Sequence, residues 1–173
     1  MAVELIKFYK EHFPALRFIG RRYTDSDRDK YGTYAQYWGE FFEKGLFGKL
    51  EGLEPLFPDY FGLMGYGENE FEYWIGMCFP AGTAVPEGFS YVDIPEGDAG
   101  IGWIRGKEAT GELYGEAPYN LCVEKLNENG LTPRDNFRSD KKWFWIFERY
   151  NCPRFTEPAE DGTVILDYGI YVF

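Results

Sequence analysis

Trp143-Phe144-Trp145-Ile146-Phe147-Glu148-Arg149-Tyr150 decides how the chain is read. An unbroken run of bulky, β-favouring residues suits a strand buried on both faces, yet a carboxylate stands inside it, where burial is costly. Alternation sends Phe144, Ile146, Glu148 and Tyr150 to one face and Trp143, Trp145, Phe147 and Arg149 to the other. If the first face lines a cavity, Glu148 is its charged floor. The plainer reading is a carboxylate at the rim of a sheet, paired with the neighbours of Arg149 or with solvent.

Working outward, residues 164–173 form a last strand, joined to the first by a loop over residues 151–162. Upstream, residues 111–129 carry Leu113, Tyr114, Ala117, Leu121, Cys122 and Leu126 at helical spacing, with Gly130 as the stop; Pro118 either kinks this helix or marks its real first turn. Residues 89–106 are extended and broken by a bend at Pro95-Glu96-Gly97. The first half runs in the same order. Leu16–Tyr23 reads as a strand, while residues 3–13 fit either a strand or a short helix ended by Pro14. Tyr34, Tyr37, Trp38, Phe41, Phe42, Gly45 and Leu46 make one amphipathic helical stripe, with Thr33 as candidate N-cap. Residues 60–66 and 71–78 then pair as strands around a Gly67-Glu68-Asn69-Glu70 turn.

Two strand-helix-strand-strand units, at about residues 1–85 and 86–173, cannot bury their sheet faces separately. The expected architecture is a single α+β domain over residues 1–173: one curved antiparallel sheet of about eight strands, two main helices and a central cleft. In this register Met64 lies opposite Glu148, and Tyr66 opposite Tyr150. Only one copy carries the acid, as expected if it serves a ligand rather than the fold.

Composition narrows the function. Phe, Trp and Tyr make up 20% of the chain, more than a core of this size needs, so many of the tyrosines should line something. With 18 basic against 29 acidic side chains the formal net charge is −11. Such a field repels duplex DNA and suits a cationic or neutral apolar ligand, although solubility alone would also account for it. Cys78, Cys122 and Cys152 with the lone His12 offer no zinc or haem site and no histidine-dependent triad, so neither a cofactor nor a metal is expected. The odd cysteine count and the polar start point to a reducing cytoplasm, and no window is apolar enough to span a membrane.

The paired units, the Ile94-Pro95-Glu96-Gly97 bend opening the second and the Phe147-Glu148-Arg149-Tyr150 strand near the end resemble the GyrI-like small-molecule-binding family. That family includes the effector-binding domains of multidrug-sensing transcription activators. The resemblance implies a cleft with an acid at its base, matched here by Glu148, and a cage of aromatics around it. It also implies bulky, often cationic ligands for some members, gyrase inhibition for others, and hydrolysis of cyclopropane-bearing toxins for others again. No helix-turn-helix segment is read in this sequence, so direct DNA binding is not expected, while a protein partner such as gyrase or a regulator is.

The site follows from strand parity and the matching repeats. Tyr150 and Ile146 share the face of Glu148, and Tyr60, Met64 and Tyr66 share it in the paired unit; Trp74 and Tyr171 are placed there too, Tyr171 on the assumption that Val164, Leu166, Tyr168, Ile170 and Val172 face the helices. Tyr34 and Trp38 are available from the edge of the helical stripe, and Trp103 and Tyr119 complete the expected wall. A one-residue slip would reverse any of these placements. Ionised, Glu148 would hold a delocalised cation; with its pKa raised it could serve as the general base of a hydrolase.

Overall fold

The computed structural model describes residues 3–173. Two strands open it, β1 (Glu4–Phe13) and β2 (Leu16–Tyr23), divided at Pro14, which has no N–H to give a ladder. The stretch that fitted either strand or helix is thus a strand, because it has a partner across the molecule to pair with. Helices α1 (Ala35–Glu43) and α2 (Leu46–Glu51) follow. The single stripe is cut in two at Gly45, whose φ of 64° glycine adopts freely. Tyr34 is the N-cap of α1, while the expected cap, Thr33, turns its hydroxyl to Asp29 at 2.6 Å.

Strands β3 (Tyr60–Tyr66) and β4 (Phe71–Pro80) complete the first half. The second contains β5 (Ser90–Ile94), β6 (Gly97–Lys107), α3 (Glu116–Glu128), β7 (Phe144–Tyr150) and β8 (Thr163–Val172). Pro118 lies in the first turn of α3, where a missing N–H costs nothing, so the helix starts later than residue 111 and leaves Leu113 and Tyr114 ahead of it. Each half therefore has two strands before its helix rather than one.

All eight strands form one open antiparallel sheet in the order β1-β6-β8-β7-β3-β4-β2-β5. Exchanging β1 with β5, β2 with β6, β3 with β7 and β4 with β8 reverses this order and leaves it otherwise unchanged. The halves are related by a pseudo-two-fold axis between β3 and β7, and each lends its first strand to the far edge of the other. Seven residues of β3 overlie seven of β7, which puts Met64 on Glu148, Tyr66 on Tyr150 and Leu63 on Phe147. Leu63 and Phe147 are also direct cross-strand partners, so the axis passes through that pair. Corresponding positions are not adjacent ones: the antiparallel ladder sets Gly62, not Met64, opposite Glu148, and Tyr60, not Tyr66, opposite Tyr150.

Both helical layers lie on one face. Around α1 and α2 the core holds Ile19, Phe41, Leu50, Ile75, Met77 and Phe79; around α3 it holds Ile104, Leu126, Leu166, Ile170 and Val172. The other face carries a third cluster, with Phe13, Phe18, Phe61, Trp74, Trp145, Phe147 and Tyr171. The strand parity read for residues 143–150 thus divides Trp143, Trp145 and Phe147 from Ile146 across the sheet. Among the described residues no helix is long and apolar enough to cross a membrane.

Candidate functional site

Glu148 lies at the middle of the central strand β7, on the helical face, between the α1/α2 core and the α3 core. Only 5% of it is exposed. Room for its carboxylate comes from Gly62 across the ladder: a Cβ there would stand 2.8 Å from Glu148 Oε1 and 2.7 Å from the Tyr73 hydroxyl. A strand interior is a poor place for glycine on propensity, and close approach of another group is the usual reason to find one.

Three phenols surround the acid. Tyr73 donates to Oε1 at 3.3 Å and Tyr168 to Oε2 at 3.4 Å, and Tyr150 adds a third hydroxyl. The bonds from Tyr73 and Tyr168 are both long, and among the described residues no cation pairs with Glu148. Burial therefore dominates and pushes its pKa up to about 7, against the pull of the three hydroxyls towards the charged form. Arg149, next in sequence, points to the other face. There its guanidinium meets Asp167 at 2.9 Å and Glu11 at 3.1 Å, so the rim carboxylate paired with that network is not what the fold builds.

A second tier of rings fixes the phenols. Trp38 of α1 donates from Nε1 to the Tyr73 oxygen at 2.9 Å, which leaves the single Tyr73 hydrogen for Glu148. Tyr34 stacks on Tyr73 with centroids 4.4 Å apart and planes 3° from parallel. Trp38 and Phe155 each make an edge-to-face contact with Tyr150, at 4.9 and 4.8 Å between centroids. The hydroxyl of Tyr66 lies 3.9 Å from the Met64 sulfur. Tyr66, Tyr114 and Tyr119 are the exposed rings, at 40%, 38% and 38%, and make the outer margin. Tyr114 bonds to Tyr150, and burial raises the pKa of Tyr66, with smaller contributions from Glu148 and Tyr119.

No protein-family model and no curated protein matches the chain, whereas solved structures do. SAV2435 bound to tetraphenylphosphonium aligns at a TM-score of 0.67 and 11% identity, over 97% of this chain and 94% of that one. The C-terminal domain of EcmrR aligns at 0.59 and 13%, over 96% and 97%. An integron cassette protein from the mobile metagenome of Vibrio cholerae aligns at 0.53 and 12%, over the whole of both chains. The fold is GyrI-like. At such identities the likeness is one of backbone, and what the pocket does has to come from this chain's own side chains.

Within the GyrI-like fold, the expected site residues separate by face. Ile146, Tyr150, Met64, Tyr66, Tyr34 and Trp38 gather on the Glu148 side, with Tyr119 at its margin. Trp74, Trp103 and Tyr171 do not. Trp74 donates to Glu72 and packs on Phe18, Tyr171 packs on Phe13 and Phe147, and Trp103 lies between Lys7 and Arg154 beside Tyr9. The physical reason is that Glu148 faces the helices; with Tyr168 and Ile170 on that side, Tyr171 must be on the other.

Three residues outside the expected set belong to the site: Tyr73, Tyr168 and Tyr114. The ladder pairs Tyr168 with Glu148 and Tyr73 with Met64, so correct strand pairing would have found the first two. The anticipated cleft is closed at this point by the rings themselves. A cavity of about 10 Å³ lies among Phe13, Phe61 and Phe147 on the far face, and an open groove of about 730 Å³ runs beside Arg105, Arg154 and Asp161. Neither borders Glu148. Among the described residues no cluster of three or more acids, cysteines or histidines could hold a metal ion.

Proposed function

We propose that this protein binds bulky, apolar organic cations over Glu148, as a sensing or sequestering module for drug-like or toxic compounds. One observation carries the reading: a carboxylate buried at the centre of the sheet with phenols for neighbours and, among the described residues, no positive partner. A raise from 4.5 to about 7 corresponds to about 3 kcal/mol held against the ionised form. A cation that seats on the carboxylate relieves that penalty, which is worth roughly a hundredfold in affinity. Each ring face turned to it adds about 0.5–2 kcal/mol more. Entry requires the outer rings, Tyr66, Tyr114 and Tyr119, to part, which exposed tyrosines can do by side-chain rotation. SAV2435 is seen with tetraphenylphosphonium, and its shared fold makes that cation the natural probe.

Titration with tetraphenylphosphonium, followed through tryptophan fluorescence with Trp38 beside the site, tests the proposal. Binding is expected at pH 8, with a loss of affinity as the pH falls below about 7 and Glu148 takes up a proton. Glu148→Gln should bind at least tenfold more weakly at pH 8 and show no such pH dependence. Equal affinity of the two proteins at pH 8 would remove the electrostatic role.

A pKa near neutrality also favours a second reading, in which Glu148 is the general base for water attacking a strained ring carbon; the new C–O bond forms as a ring C–C bond breaks, and a tyrosine hydroxyl donates to the conjugated oxygen that takes up the electron pair. Turnover of a cyclopropane-bearing alkylator by the wild type, lost in Glu148→Gln, would establish it. No turnover by the wild type removes it and leaves the binder.

A further inference from the structure

The pseudo-two-fold axis through Leu63 and Phe147 duplicates the surroundings of the acid without duplicating the acid. Glu148 has Tyr168 opposite it on β8 and Tyr150 two residues on; Met64 has Tyr73 opposite it on β4 and Tyr66 two residues on. The two pairs of tyrosines correspond, 168 to 73 and 150 to 66. Where one half presents a carboxylate to its phenols, the other presents a thioether, and the Tyr66 hydroxyl rests 3.9 Å from that sulfur. Met64 is half-buried and packs against both the α1/α2 core and the α3 core, as a residue at the junction of the halves should. As diagonal neighbours on one face of the β3/β7 ladder, the two positions are roughly 7–8 Å apart.

We propose that Met64 determines the ligand's charge: by filling the position equivalent to Glu148 with an uncharged, polarisable group, it makes a two-fold cage singly acidic and selects monocations over dications. This rests on the reading of Glu148 as the counter-charge of a bound cation. A thioether packs well against aromatic surface and accepts ligands of varied shape, but it offers a second positive charge nothing. A dication in this cage would desolvate one charge against sulfur and phenol rings, a penalty that works as discrimination. Placing a carboxylate at residue 64 reverses the preference, because two acids at this spacing repel until a second positive charge relieves them.

The test uses two probes, tetraphenylphosphonium and a rigid bipyridinium dication, against wild type, Met64→Gln, Met64→Glu and Glu148→Met. It also includes the exchange variant Met64→Glu/Glu148→Met, with circular dichroism confirming the fold of each. The wild type should prefer the monocation. In Met64→Glu the affinity ratio should move towards the dication by about tenfold or more, whereas Met64→Gln, equally polar but uncharged, should leave it unchanged. The exchange variant should recover monocation binding lost in Glu148→Met, since the charge has only moved across the axis.

A folded Met64→Glu with an unchanged ratio overturns the inference, and so does an exchange variant that folds without recovering binding. An exchange variant that cannot fold overturns it as well, because equivalent positions must each tolerate the charge. If the wild type binds neither probe, what fails is the cation reading of Glu148 itself; binding by the wild type with no effect at residue 64 leaves that reading standing and removes only this one.

Discussion

At the scale of the residue, Glu148 is a destabilising group that the fold retains. Its pKa is raised above the 4.5 it has when unfolded, so below pH 4.5 the native and unfolded chains both carry the proton and the residue costs little. Between pH 4.5 and about 7 the unfolded chain releases that proton and the native chain keeps it, so stability falls as pH rises. Above pH 7 the full cost of about 3 kcal/mol applies. Glu148→Gln should therefore be more stable than the wild type by up to about 3 kcal/mol at pH 8, and by almost nothing at pH 4, in parallel urea melts. A variant no more stable than the wild type at pH 8 would mean that the carboxylate is better solvated than its 5% exposure indicates. The sequence shows a carboxylate inside an apolar run here, as it does at Glu72 and Asp167; the structure sets Glu148 apart, because those two pair with arginines and Glu148, among the described residues, does not. The sequence does not show Tyr73 as a ligand of the acid, because the hairpin that carries Tyr73 is brought to Glu148 by the pairing of β3 with β7, and Tyr73 is fixed there by the Trp38 bond, both long-range contacts.

At the scale of the element, the edge strands do the most to join the halves. β1 belongs to the first half by sequence but pairs along its length with β6 of the second, and β5 returns the exchange by pairing with β2. Phe13, at the end of β1, is 1% exposed and packs against Phe57, Phe147 and Tyr171. Phe13→Ala should cost about 3–5 kcal/mol, the range for truncating a fully buried aromatic, readable as a lower urea midpoint. A loss under 1 kcal/mol would show that β1 is pinned by its ladder alone. The helices illustrate the converse. Their apolar stripes are local and legible, yet Gly45 divides one and Pro118 delays the other, because backbone demands act over one or two residues where periodicity averages over ten.

At the scale of the whole molecule, the strand exchange means that neither half contains a complete sheet. A fragment of residues 1–85 would leave β1 without β6 and β3 without β7, and should show no cooperative unfolding transition alone. Mixed with residues 86–173 it should recover one, together with whatever tetraphenylphosphonium binding the intact chain shows. A cooperative transition in the isolated first fragment would contradict the exchange. The amino-acid sequence by itself determined most of the elements, the existence of two repeated halves and the presence of an acid, Glu148, among apolar strand residues, because alternation, helical spacing and turn chemistry are local properties. Only the tertiary structure decided which face that acid shares, and hence that Tyr73 and Tyr168 hold it while Trp74, Trp103 and Tyr171 lie behind the sheet. Face is a matter of register and of which strand lies beside which, and those are settled by burial across the whole chain, where a shift of one residue turns every side chain over.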